Sequence, residues 1–186
     1  MDAGLDQAFS DSDNLRRAET VLVDLAIDGR SVLDQADRYA EKQRLLAMQA
    51  YNGSQDEAHT DSLAGAWASG SWYKLLNHRP DLAEQYAREA LRLKDEDLLS
   101  PNSDVGKVAS ANLAHALLFR NRIDEAEKIY NAIKDTKIDQ SKPMKDSIAG
   151  DYSVLRSLKF IHPGMCTIGK LLGDAAYAKT DCAAIN

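Results

Sequence analysis

Residues 64–91 and 107–134 carry one pattern written twice, and that repeat constrains the fold more than any single residue does. With Ala83 matched to Ala126, Leu75 falls on Leu118, Arg79 on Arg122, Asp81 on Asp124 and Glu84 on Glu127. Ser71 meets Ala114, a small residue where two helices must approach closely. A repeated helix–turn–helix unit cannot bury its own apolar face, so it stacks, and the stack leaves a concave surface. The pattern predicts a scaffold that binds something and does not name the partner.

The rest of the chain agrees with an all-α reading of about seven to eight helices in a single domain. Good helix formers dominate, and only four prolines interrupt 186 residues. The one strand-like run, VLVDLAI at 21–27, continues a helical period on both sides and reads as helix. Residues 1–12 are polar and predict a loose N-terminus. From 13 to 51 the apolar positions keep helical spacing, giving either one long helix or a hairpin divided near Asp28–Gly29. A polar connector, NGSQDEAHT, then precedes a helix opened by Thr60 or Asp61, and Pro80 stands at a first-turn position where proline is harmless. The two repeated units fill 62–135, with the surplus of the second spacing inserted at 94–106, where Ser100–Pro101–Asn102–Ser103 supplies turn chemistry. Residues 143–179 predict capping helices broken at His162–Pro163–Gly164.

These residues carry a resemblance. AWASGSWYKLLNHRPDLAEQYAREALRL resembles a tetratricopeptide repeat, with Trp67 in the large aromatic place of the first helix, Ser71 in the small place, and Ala83, Ala87, Ala90 and Leu91 in the second-helix core. NLAHALLFRNRIDEAEKIY is similar too, through Leu113, Ala114, Leu117, Ala126 and Tyr130. The sequence departs from the pattern at Gly70, where an apolar residue is usual, at Lys74, where a tyrosine is typical, and at Ile133, which replaces a small residue; neither unit ends in the usual proline. Ala83 and Ala126 are 43 residues apart, longer than the usual period of roughly 34. The tail DYSVLRSLKFIHPGM is similar to the segment that follows such repeats in multi-domain bacterial proteins, which implies a repeat-bearing part of a longer polypeptide.

The resemblance implies a helical-hairpin solenoid in which the first helix of each pair lines the groove. Its outward face would then carry Ala68, Trp72 and Leu76 on one unit and Ala111, Asn112, His115 and Phe119 on the next. Trp72, Leu76, Asn112, His115 and Phe119 are accordingly the candidate partner-binding residues, with Asn112 able to clamp a peptide backbone through both polar ends. Trp72 and Phe119 are either ligand anchors or packing against flanking helices. The family's carboxylate clamp is not supported, because Ala68 and Ala111 stand where cations would help.

Other chemistries lack their residues. No nucleotide-binding or nucleophile-elbow motif occurs, so no enzyme and no cofactor are expected. His59, His78, His115 and His162 have no metal-ligand spacing, and His78 and His162 read as exposed or capping groups. The acidic residues at 84–97 read as a solvated helix face. A net charge of −6 argues against nucleic acid, and no apolar run approaches the roughly 20 residues a membrane span needs. Cys166 and Cys182 read as two unbonded thiols, one packed and one in a frayed tail; the alternative is a disulfide, which would imply an oxidising compartment. Localisation stays open, with the cytoplasm as the default and the periplasm as the alternative if a leader has been removed. The expected function is a non-catalytic protein-interaction scaffold holding a peptide or helix of a protein partner in its groove. The alternative is a self-assembly or regulatory segment of a larger protein, with residues 13–51 mediating a homodimer.

Overall fold

The repeat is written in the backbone as well as in the side chains. His78 and Asn121, the same place in the two units, both adopt a left-handed conformation, with φ of 58° and 59°. The hydrogen bonds around them also match: His78 N–H donates to Leu75 O and Asn121 N–H to Leu118 O, while Arg79 N–H and Arg122 N–H donate to Lys74 O and Leu117 O. This is the helix-ending geometry that satisfies the last carbonyls of one helix while turning the chain back along it. Lys159 makes a third turn of this kind between paired helices, with φ of 58° and bonds to Arg156 O and, one residue on, to Leu155 O, and the same left-handed ending recurs at Asp95 and Gly173.

The computed structural model describes residues 33–98, 100–138 and 141–182. Among them are seven helices, α1 (Leu33–Gly53), α2 (Glu57–Leu76), α3 (Pro80–Lys94), α4 (Asp104–Phe119), α5 (Ile123–Ile133), α6 (Met144–Ser157) and α7 (Gly164–Leu172), and a minimal antiparallel hairpin of β1 (Lys137–Ile138) and β2 (Lys142–Pro143). The fold is all-α, with helices packed in sequence order as in a solenoid, and none of the described helices is long and apolar enough to cross a membrane. The expected loose stretch 1–12 and the first part of the 13–51 region lie outside the described residues.

Small residues set the helix spacing. Ser71 and Ala114 are fully buried, each seven positions before its left-handed turn, and face Ala83 and Ala126, which are buried as well. Ser71 Oγ donates to Ala83 O at 2.7 Å, satisfying its hydroxyl where there is no room for water. In the third pair Tyr152 takes that small place, and α7 touches α5 as well as α6. The departures noted at Gly70 and Lys74 also have causes. A Cβ on Gly70 would lie 2.9 Å from the Tyr86 ring, and Lys74, nearly buried, pairs with Asp37 of α1 at 2.6 Å.

Four expectations need correction. The α2 helix opens earlier than Thr60 or Asp61, because Asp56 caps it by accepting from His59 N–H at 2.9 Å. Glu84 does not belong to a solvated face: its side chain is 7 % exposed and binds Arg88, Arg120 and Arg122 together, joining α3 to both ends of the α4–α5 turn. Burial pushes its carboxyl up, and hydrogen bonds from Arg88 and Arg122 outweigh that and hold it below the usual glutamate range. Glu96 likewise has a task, accepting from Asn102 and Ser103 N–H to close the inserted loop on itself.

The fourth correction concerns the cysteines, which are bonded to each other with Cα atoms 5.5 Å apart. The tail is folded back, not frayed. Gly173 ends α7 in a left-handed cap, Asp174 pairs with Arg156, and the Tyr177 ring lies against Gly169, where a Cβ would collide at 2.2 Å. Closing a loop of this length stabilises by about 3 kcal/mol. Cys182→Ser is therefore expected to lower the unfolding free energy in urea by about 2–4 kcal/mol; an unchanged midpoint would show that the tail does not depend on the bond.

Candidate functional site

Helical spacing gathers one face from each of three helices. Ser69, Trp72 and Tyr73 on α2, Val108, Ala111 and Asn112 on α4, and Met144, Ser147 and Asp151 on α6 recur at three- and four-residue intervals, so each set shares one side of its helix. They meet around a cavity of about 220 Å³, which Ile138 of β1 also lines. Lys107 anchors that strand, its ammonium donating to Lys137 O at 2.8 Å and pairing with Asp104 at 2.9 Å.

Behind the pocket runs a chain of buried polar groups. Tyr152 of α6 donates its hydroxyl to Tyr130 of α5 at 3.3 Å. The Tyr130 hydroxyl lies 2.6 Å from Nδ1 of His115 on α4, and His115 Nε2 lies 3.2 Å from Asp151 Oδ2 on α6. A carboxylate oxygen accepts, so Nε2 donates to Asp151, and in the tautomer that carries its single proton there Nδ1 accepts from the Tyr130 hydroxyl. His115, Tyr130 and Tyr152 are each 0 % exposed. Burial raises both phenols above their ordinary range, most strongly Tyr130, so they stay protonated and act as donors. The ring of His115 sits among Trp72, Tyr130 and Tyr152, with centroids 5.6–5.9 Å away.

The five candidate residues divide between two environments. Trp72 and Asn112 line the pocket together. Asn112 has one end committed, since its Nδ2 donates to Ala68 O at 2.8 Å and ties α4 to α2. Leu76, 1 % exposed, belongs to the core and not to an open face. His115 lies one layer behind the wall and reaches the pocket through Asp151. Phe119 is covered by the third pair, stacked on Phe160 at 4.0 Å and edge-on to His162 at 5.6 Å. His162 itself caps α7, accepting from Gly164 N–H at 3.0 Å through Nδ1 and bonding Asn121 Oδ1 through Nε2; burial holds its pKa below the ordinary value.

Asp151, Ser147, Met144 and Ile138 were not anticipated. Residues 143–179 read as a cap and Ile138 falls in the polar loop before it; the signal for the first three is the apolar–polar spacing 144, 147, 151, which continues the face of 69, 72 and 108, 111, 112. No group of three His, Cys, Asp or Glu side chains converges as a metal site among the described residues. No family model matches this chain, and no match is found among curated proteins or solved structures.

The polar chain makes a sharp demand on one hydroxyl. Tyr130→Phe leaves Nδ1 of a sealed imidazole without a donor, at a cost of about 1–3 kcal/mol. Tyr152→Phe removes only the outermost donor and is expected to cost less. Thermal unfolding of the two variants checks the order; equal losses would contradict the direction of the chain.

Proposed function

We propose that this chain is a non-catalytic interaction scaffold that holds an extended segment of a protein partner against the face of α2, α4 and α6. The observation that carries this reading is the pocket built by those three helices, where an aromatic ring, a half-committed amide and a carboxylate converge on apolar walls. Such a mix of one anchor ring and a few placed polar groups is how peptide grooves gain affinity and register. The two repeats are, on this reading, divergent tetratricopeptide units, supported by their matching turns at His78 and Asn121. A catalytic reading is disfavoured because the groups able to pass a proton, His115, Tyr130 and Tyr152, are sealed from any substrate. The Cys166–Cys182 bond supports an oxidising compartment, where such bonds persist.

A second reading, self-assembly through the N-terminal region, has its own observation. The α1 helix leaves Tyr39, Leu45 and Met48 exposed at 39 %, 53 % and 42 %. Baits separate the two. Against lysate of the cells that make the protein, wild type and a Leu45→Glu/Met48→Glu variant are expected to recover the same partner. Trp72→Ala is expected to lose it, since a central aromatic anchor is worth about 2 kcal/mol or more, with helicity by circular dichroism unchanged. If only the α1 variant loses its partner, or if that partner is the chain itself, the self-assembly reading replaces the groove.

A further inference from the structure

We propose that the groove selects a basic side chain of its partner segment, a lysine or an arginine, whose cation enters the pocket beside Trp72 and pairs with Asp151. This rests on the groove reading above and adds what the groove recognises.

Asp151 is the one carboxylate in the lining, which holds no lysine, arginine or histidine. Its side chain is 34 % exposed, and one oxygen takes the Nε2–H of His115. Four other carboxylates at similar or deeper burial each have a basic partner: Asp37 has Lys74, Glu41 has Arg44, Glu84 has three arginines and Asp174 has Arg156. Among the described residues no lysine or arginine pairs with Asp151. A carboxylate fixed by a sealed imidazole, facing an apolar pocket and without a lysine or arginine partner, is placed to take one from outside.

The rest of the pocket fits the same ligand. Lysine and arginine heads carry donors and no acceptor. Acceptors for such a head are present: the second carboxylate oxygen, the Asn112 side-chain carbonyl and the Ser147 hydroxyl oxygen. The Trp72 ring can receive a cation on its face, and Val108, Ile138 and Met144 can cover an aliphatic stem. About 220 Å³ is room for one long side chain, and an acidic or phosphorylated segment would be repelled by Asp151.

The test is to pan a randomised short-peptide library against the wild-type protein and against Asp151→Asn, which keeps the acceptor for His115 while removing the charge. Peptides selected by wild type and rejected by Trp72→Ala are expected to share a lysine or arginine at one position. Replacing that residue by norleucine or citrulline should weaken binding to wild type about ten-fold, the effect of one charge-assisted contact. Against Asp151→Asn the same replacement should change little. Peptides that need Trp72 but show no basic preference, or keep it with Asp151→Asn, overturn the inference and leave the groove reading standing. If no peptide depends on Trp72, both fall. The norleucine and citrulline arms use the wild-type protein, so they decide the matter even if Asp151→Asn proves unstable.

Discussion

A neutral imidazole sealed from water needs one donor and one acceptor, and the places where His115 finds them hold the molecule's third helical layer in position. Its acceptor partner is Asp151 on α6 and its donor is Tyr130 on α5, itself bonded to Tyr152 back on α6. Through one ring, α4, α5 and α6 are locked in a single arrangement. A half-satisfied chain of this kind would cost more than an apolar core, so every member is tied to the rest. Ser147 and Asp151 face the pocket because α6 cannot rotate without orphaning the imidazole.

The first two layers need no such device. Small buried residues at Ser71, Ala83, Ala114 and Ala126 let helices pack closely, the Ser71 hydroxyl and the Asn112 amide bond neighbouring carbonyls, and Glu84 with its three arginines fastens one unit to the next. The third pair carries Tyr152 in the small place and adds its hydroxyl to the polar chain, while the Cys166–Cys182 bond pins the returning tail. Close packing within a pair is a local matter, whereas the bonds between layers join residues far apart in the chain.

That difference between local and distant contacts explains what could be read from the residues alone. Helix identity, the turns at His78 and Asn121, and the close contacts at Ser71 and Ala83 follow from periodicity and residue size, which are local. The ion cluster at Glu84 was misread because its partners Arg120 and Arg122 lie in the next unit, and helix spacing reveals only Arg88. The disulfide escaped because bonding depends on how the tail folds back, which Gly169 and Tyr177 decide across the fold. Within the site, Trp72 and Asn112 were legible from the repeat register. His115 was assigned to the right helix at the wrong depth, and Asp151 lay in a segment with no repeat to align it.

The claim on which the rest depends is the protonation pattern of His115, and long-range nitrogen–proton correlation spectra of the histidine side chains read it directly. The account predicts a neutral ring protonated at Nε2, with Nδ1 shifted as a hydrogen-bond acceptor, and loss of that Nδ1 signature in Tyr130→Phe. A ring protonated at Nδ1, or at both nitrogens at neutral pH, would contradict it, because Tyr130 would then be accepting and the chain that fixes Asp151 would run differently.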